Sequence, residues 1–93
     1  MSEYRIFETE EFSKSLGKLE LYDQGFIRNK LQTFIYPQLR IEPCFGSNVK
    51  KLRGYNPSVW RYRIGRFRLF YSVDQNESIV YILTIEKRKD AYR

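Results

Sequence analysis

Histidine is absent from this sequence of 93 residues, and cysteine occurs once, at Cys44. A single cysteine cannot form an internal disulfide, and one Cys without His cannot supply the four ligands of a structural zinc site. The lack of histidine also excludes Ser–His and Cys–His catalytic pairs and an imidazole general base. We therefore expect a cytoplasmic protein that uses no disulfide, no metal and no cofactor.

Long apolar segments and phosphate-binding loops are missing as well. The sequence has no run of 18 apolar residues that would predict a membrane-spanning helix. Its acidic N-terminus lacks the apolar core of a signal peptide. Gly46 and Gly54 are isolated, so no glycine-rich phosphate loop is present, and no carboxylate cluster suggests bound Mg²⁺. We expect a single domain over residues 1–93, without a membrane partner or a small-molecule cofactor.

Aromatic residues and basic charge are abundant. Aromatic side chains make up 17% of the sequence, which argues against disorder, and the net charge is +6. Residues 1–46 carry a net charge of −1, whereas residues 47–93 carry +7. A basic half indicates either a polyanionic partner or a solvated basic surface, and composition leaves both open.

The first elements predicted are a strand and a helix. Residues 4–7 are rich in β-prone side chains. Thr9 is suited to cap a helix, and Phe12, Leu16 and Leu19 then form one apolar stripe at helical spacing.

A second helix is predicted over residues 26–36, after a break at residues 22–25. Pro37 disfavours the helical conformation of the preceding residue, so this helix should end or kink there. The two helices should form a hairpin that covers one face of a sheet.

The second half has the alternating pattern of strands. Residues 59–64 and 67–73 alternate around Gly65-Arg66, which has the form of a two-residue hairpin turn. Residues 74–77 form a second turn, and residues 78–85 form a strand apolar enough to be covered on both faces or nearly so. The predicted order is βααβββ, an α+β fold with the N-terminal strand and the helical hairpin against a mostly antiparallel sheet.

The hairpin register predicts two very different faces. Closure at Gly65-Arg66 pairs Arg63 with Arg68 and Arg61 with Phe70, because residues directly opposite share a face. The other face is apolar and suits packing under the helices; it consists of Trp60, Tyr62, Ile64, Phe67, Leu69 and Tyr71.

Three arginines on one small patch need an explanation, since like charges directly opposite on a sheet are destabilising. They pair with carboxylates such as Glu86 or the C-terminus, or they form an anion site, because a guanidinium fork matches phosphate. Phe70 offers a ring on which a base stacks, or it is a core residue. The nearby basic residues form either the rim of this site or a solvated loop; they are Lys50, Lys51 and Arg53.

If the protein is an enzyme, it must work with arginine, lysine and tyrosine, with or without one glutamate, and such a set can still cleave RNA. RNA carries its own nucleophile, the 2′-OH, beside the scissile phosphate. The protein then has to align the reacting atoms and stabilise the developing negative charge. DNA lacks the 2′-OH and would be spared.

Three segments together resemble the RelE/ParE superfamily of bacterial and archaeal toxins. They are residues 50–54 (KKLRG), residues 60–74 (WRYRIGRFRLFYSVD) and residues 87–92 (KRKDAY). The first strand and the two helices fit the same plan, so the resemblance covers nearly the whole chain. It implies the βααβββ fold that the patterns predict.

The resemblance implies a toxin of a type II toxin–antitoxin system, held inactive by a cognate antitoxin. RelE-type members cut mRNA in the ribosomal A site, which predicts an mRNA interferase here. ParE-type members poison DNA gyrase and provide the alternative. A third reading is a basic module that binds RNA or an acidic protein without catalysis.

Residue roles follow from the same resemblance. Arg68 is expected on the transition-state phosphate, Arg88 toward the leaving group, and Tyr92 stacked on a base. Arg61 and Arg63 match basic positions of RelE-type members and complete the catalytic set, with no residue assigned as general base. The RNA-binding candidates are Lys50, Lys51, Arg53, Phe70 and Lys87.

Overall fold

The computed structural model describes residues 3–88, which form five strands and three α-helices. The elements in chain order are β1 (Arg5–Glu8), α1 (Glu10–Gly17), α2 (Leu21–Lys30), a π-helical segment (Leu31–Ile35), α3 (Tyr36–Ile41), β2 (Val49–Lys51), β3 (Trp60–Ile64), β4 (Phe67–Asp74) and β5 (Ile79–Lys87). No helix among these residues is long and apolar enough to cross a bilayer.

The five strands form one mixed sheet in the order β1-β5-β4-β3-β2. The β1 strand runs parallel to β5, and all other neighbours are antiparallel. The α+β class with helices on one face is therefore confirmed. The register of β3 and β4 also agrees with the prediction, with Arg63 opposite Arg68 and Arg61 opposite Phe70.

The core lies between the helices and one face of the sheet. Alternate residues of β3 and β4 are buried there, as the hairpin register predicts, and Trp60 packs at the margin. The buried hydrophobic side chains are Phe12, Leu16, Ile27, Leu31, Ile35, Tyr36, Leu39, Tyr62, Ile64, Phe67, Leu69, Tyr71, Val80, Ile82 and Ile85. Strand alternation then leaves the arginines on the opposite, open face.

Two polar contacts fix the helices on the sheet. The Thr9 hydroxyl accepts from the Phe12 N–H at 3.1 Å, which confirms the predicted cap, and donates to the Ile82 carbonyl at 2.7 Å. The Glu8 carboxylate accepts from Arg28 and from the Tyr36 hydroxyl, each at 2.6 Å. Burial, and then the bond to Glu8, raises the pKa of Tyr36, which therefore remains a hydrogen-bond donor.

The second helix begins at Leu21, so the prediction of a break at residues 22–25 is wrong. The break lies at residues 18–20 instead. The Gln24 side chain donates to the Leu19 carbonyl at 2.7 Å and holds this connection against the helix. Gly25 is tolerated in the helix because it is exposed, and a Cβ added there would meet no other part of the fold within 4 Å.

The chain does not leave the helical path at Pro37. Immediately before it, the Tyr36 N–H donates to the Leu31 carbonyl in a widened π turn. This widening accommodates a residue that lacks an N–H and crowds the preceding turn. The predicted end of the helix at Pro37 is therefore wrong. The helix widens locally just before Pro37, and α3 continues to Ile41.

Two features of the sheet differ from expectation. The short edge strand β2 falls in a stretch for which no strand was predicted, because three residues carry too little alternation to indicate one. Within residues 3–88, the helices cover β5 on one face only. Val80 and Ile82 are buried under the helices, whereas Ile79 and Tyr81 are half-buried on the open face.

The turn between β3 and β4 depends on glycine. Gly65 has a φ of 57°, and Arg66 does not share the positive φ. Such a turn resembles type II′, whose first central position favours glycine. We expect Gly65→Ala to lower the free energy of unfolding by about 1–2 kcal/mol, because an L-residue is strained at positive φ.

The matched control is Gly25→Ala in α2, where the backbone is helical. There alanine should raise the free energy of unfolding by about 0.5–1 kcal/mol. Urea unfolding of both variants measures the two effects. A stabilising effect at Gly65 would contradict the assignment of the turn.

Candidate functional site

Four of the predicted catalytic arginines meet on the open face of the sheet. Arg61 and Arg63 come from β3, Arg68 comes from β4, and Arg88 follows the end of β5. Together with Gly65 they line a pocket of about 190 Å³, here called the arginine pocket. The Arg88 N–H donates to the Arg66 carbonyl, which holds the end of β5 beside the hairpin turn.

Within residues 3–88, no carboxylate forms a salt bridge with any of these four arginines. The two salt bridges in this part of the chain join Arg28 to Glu8 and Lys87 to Asp23. The Nε atoms of Arg61 and Arg68 are buried and have no hydrogen-bond partner among the described residues. Of the two explanations for the arginine cluster, pairing with carboxylates is therefore the weaker one.

The arginine pocket is electrostatically strained. Arg63 and Arg68 are direct cross-strand neighbours, a position in which like charges destabilise a sheet. An anion with several acceptor oxygens relieves this repulsion and accepts bidentate hydrogen bonds from the guanidinium forks. The arrangement is therefore suited to binding a phosphate group.

Three of the predicted RNA-binding residues lie on the open side of the sheet or beside it. Lys50 of β2 is opposite Arg61 and extends the basic row by one strand. Phe70 lies beside Arg61 on β4 and is half-buried. Arg53 is exposed in the turn after β2.

Lys51 and Lys87 do not share the open face, because strand alternation directs them to the other side. Lys51 lies over the Trp60 ring, with its Nζ 5.9 Å from the ring centroid. Lys87 pairs with Asp23 of α2 at 3.5 Å. Neither residue is brought to the arginine pocket, and their predicted contact with RNA at this site is not supported. Tyr92 lies outside the described residues.

A second pocket adjoins the arginine pocket and was not predicted. It has a volume of about 240 Å³, contains Phe70 and is mostly apolar; its lining comprises Leu52, Tyr55, Val59, Phe70, Leu83, Thr84 and Glu86. We call it the Phe70 pocket. Part of its wall comes from residues 52–59, an irregular segment whose path no periodicity specifies.

A groove lies between α2 and the tip of the hairpin. It has a volume of about 400 Å³ and includes Phe26, Phe34 and Lys30 from the helical layer, with Arg63 and Gly65 from the hairpin. The phenylalanines are exposed by 37% and 59%, which is unusual for such large apolar side chains. The groove therefore combines an apolar floor with a basic rim next to the arginine pocket.

A larger cavity, of about 550 Å³, lies near Cys44, Trp60 and Asp74, away from the arginine pocket. Burial raises the pKa of the Cys44 thiol, and Glu42 adds to this effect. A thiol with a raised pKa is a poor nucleophile, because the thiolate is the reactive form. The cavity therefore offers no activated thiol.

The fold and the arginine pocket define a small α+β protein with a cluster of four arginines on the open face of its sheet. A family model described as the ParE toxin of type II toxin–antitoxin systems matches residues 9–92. The chain therefore belongs to this toxin family, within the RelE/ParE superfamily. No curated protein sequence is significantly similar to it.

Solved structures of RelE toxins share the fold. The RelBE2 toxin–antitoxin complex of Mycobacterium tuberculosis contains a chain with 26% identity and a TM-score of 0.72, covering 92% of this chain and 99% of that one. The RelE–RelB complex of Pyrococcus horikoshii gives 26% identity and a TM-score of 0.59, with 98% and 100% coverage. The isolated E. coli RelE toxin gives 22% identity and a TM-score of 0.66, with 96% and 88% coverage, and is similar in fold.

We expect inorganic phosphate to stabilise the wild-type protein through the arginine pocket. A concentration ten times the Kd would add about 1.4 kcal/mol to the free energy of unfolding. Arg68→Ala should lose this effect while remaining as stable as the wild type or more so, because it removes the repulsion with Arg63. Thermal unfolding in phosphate and in chloride at equal ionic strength measures the difference.

The matched control is Arg5→Ala, which removes an exposed arginine at the far edge strand β1. It should keep the response to phosphate. An equal response in both variants would mean that phosphate acts as a general stabilising salt and not at the pocket.

Proposed function

We propose that this toxin is a ribosome-dependent mRNA endonuclease that stops translation in the cytoplasm. The single observation that carries the proposal is the convergence of four arginines, unpaired within the described residues, on one pocket. Similarity over most of their length to chains of RelE-containing complexes supports it. Membership in the family alone leaves the target open.

The roles proposed for the residues are those that the family resemblance implies, and the geometry of the pocket is compatible with them. Arg68 lies centrally, between Arg63 and the end of β5, and binds the scissile phosphate through its fork. Arg61 and Arg63 neutralise the charge that develops on the phosphate oxygens. Arg88, beside the hairpin turn, stabilises the leaving 5′ oxygen. The RNA 2′-OH is the nucleophile, so the reaction needs no metal-bound water.

A ParE-type inhibitor of DNA gyrase is the second candidate, because the matching family model describes ParE toxins. Such an inhibitor does not need a phosphate pocket that stabilises a transition state. The two candidates therefore differ in what a conservative change in the pocket does. A non-catalytic basic module likewise predicts that Arg68→Lys, which keeps the charge, leaves growth inhibition intact.

We expect wild-type toxin to produce new 5′ ends at ribosome-occupied codons in an in-vitro translation reaction. Arg68→Ala should lower the cleavage rate about 10²–10³-fold, because it removes a preorganised donor to the phosphate. Arg68→Lys should also be impaired, since an ammonium lacks the bidentate fork. Primer extension on the mRNA measures all three rates.

Arg5→Ala again serves as the control and should cut at the wild-type rate. Continued translation without new 5′ ends would refute the endonuclease, and inhibition of gyrase supercoiling in the same preparation would favour the ParE-type function. An Arg68→Ala protein that fails to fold would indicate a structural role for Arg68.

A cognate antitoxin is the second partner we propose, as in the RelBE complexes to which the chain is similar. The groove between α2 and the hairpin fits an amphipathic acidic segment, with its apolar side chains on Phe26 and Phe34 and its carboxylates on Lys30 and Arg63. Such a segment would reach the edge of the arginine pocket. It would neutralise the toxin by covering the pocket or by preventing entry into the ribosome.

We expect the affinity for the antitoxin to fall as salt rises, because exposed charges are screened over about 10 Å at 0.1 M ionic strength. Arg63→Ala should reduce this salt dependence, whereas Arg5→Ala should leave it unchanged. Calorimetric titration at two salt concentrations makes the comparison. Equal affinity at both, with hydrogen-exchange protection confined to α1, would place the antitoxin elsewhere.

A further inference from the structure

A single acidic residue of β5 lies within the basic open face. Lys87 points toward the helices, where it pairs with Asp23, so its neighbours Glu86 and Arg88 belong to the open face. The register places Glu86 directly opposite Arg68, which in turn is opposite Arg63. Glu86 therefore continues the row of side chains that forms the arginine pocket.

Glu86 does not neutralise the arginines. Cross-strand neighbours have Cβ atoms about 4.5–5.5 Å apart, well within reach of an Arg–Glu ion pair. No salt bridge between Glu86 and Arg68 forms, and the Arg68 Nε stays without a partner among the described residues. Glu86 instead lines the Phe70 pocket, together with Leu52 and Tyr55. Because it also lies directly opposite Arg68, Glu86 stands at the border between the Phe70 pocket and the arginine pocket.

This border has the layout of one nucleotide with its 3′ phosphate. A base fits the apolar pocket against the half-buried Phe70 ring, since every base has a face that stacks on an aromatic. The 3′ phosphate would then enter the arginine pocket, because Arg61 lies opposite Phe70 and Arg68 lies opposite Glu86. A ribose, which connects base and phosphate, would then span the border with its 2′-OH on the side of Glu86.

We propose that Glu86 is the general base of the cleavage reaction, and that the Phe70 pocket holds the base of the nucleotide on the 5′ side of the cut. This rests on the function proposed above. The Glu86 carboxylate takes the 2′-OH proton as O2′ forms a bond to phosphorus. The P–O5′ bond breaks, and O5′ keeps the electron pair and takes a proton from solvent water. The products are a 2′,3′-cyclic phosphate and a 5′-OH end, and Glu86 returns its proton to solvent.

The other groups at this border are less suited to the task. Arginine does not lose its proton in proteins, so the four guanidiniums cannot act as bases. Lys50 lies on β2, opposite Arg61, and lines neither the arginine pocket nor the Phe70 pocket. Tyr55 lines the Phe70 pocket, but a phenol carries its proton near neutral pH. Glu86 is the one carboxylate that lines either pocket among the described residues.

The test compares Glu86→Gln with Glu77→Gln in single-turnover cleavage on ribosomes. Glu77 lies exposed in the turn between β4 and β5 and lines neither pocket. We expect Glu86→Gln to cut about 10²–10⁴-fold more slowly, the usual contribution of a general base. Glu77→Gln should match the wild type, and both variants should keep the wild-type Tm. An unchanged rate in Glu86→Gln would overturn the assignment.

A substrate with sulfur in place of the scissile O5′ identifies the step that Glu86 serves. Sulfur leaves without stabilisation, so this RNA should restore cleavage by Arg88→Ala and not by Glu86→Gln. Restoration in Glu86→Gln would place Glu86 at the leaving group and overturn its role as base. Failure of the wild type to cut, or cleavage of RNA with a 2′-deoxy residue at the site, would refute the endonuclease itself.

The base pocket is tested with an abasic residue on the 5′ side of the cut. Loss of the base should lower kcat/KM of the wild type about 5- to 150-fold, the effect of losing one stacking contact. Phe70→Ala should lower it by a similar factor with the intact RNA and show no further loss with the abasic RNA. Independent, multiplying losses would overturn the assignment of this pocket to that base.

Discussion

The register of the β3–β4 hairpin determines both the stability and the chemistry of this toxin. Each strand alternates an apolar residue with a residue of the open face, and the turn at Gly65 decides which residues face each other. A slip of one residue would bring the arginines under the helices and expose the aromatic side chains. Both the core and the arginine pocket therefore depend on one two-residue turn, in which the positive φ of Gly65 is the main backbone requirement.

The arginines of the open face lower the stability of the fold. Arg63 and Arg68 repel each other, and the buried Nε atoms of Arg61 and Arg68 lack protein partners within the described residues. The core around Phe12, Tyr62 and Tyr71 offsets this loss of stability. The Glu8 carboxylate contributes as well, because it connects β1 to α2 and α3. Because Arg61, Arg63 and Arg68 stand on paired strands, their backbone positions are set before a ligand arrives, which the proposed electrostatic catalysis requires.

Alternation and turn chemistry made much of the fold predictable from the sequence. The hairpin register followed from Gly65-Arg66, and the cap of α1 followed from Thr9. The start of α2 could not be read from periodicity, since Gln24 fixes it through a contact with the Leu19 carbonyl. The strand β2 was too short to be recognised. The arginine cluster was predictable because Arg61, Arg63 and Arg68 occupy alternate positions of one local hairpin. The Phe70 pocket was not, because it depends on the path of residues 52–59 and on the pairing of Glu86 with Arg68 across the sheet.

The repulsion between Arg63 and Arg68 explains why the two proposed partners, although chemically different, would suit the same surface. Phosphate groups of RNA and carboxylates of an antitoxin would both reduce this repulsion, and Arg63 lines both the Phe26–Phe34 groove and the arginine pocket. Only RNA, however, brings a base, a 2′-OH and a phosphate in one covalent unit. In the proposed mechanism Glu86 would discriminate between them, because its charge repels an incoming carboxylate and attracts the proton of a hydroxyl. An antitoxin would therefore gain most of its affinity from the groove and the edge of the pocket, and leave the border at Glu86 to the substrate.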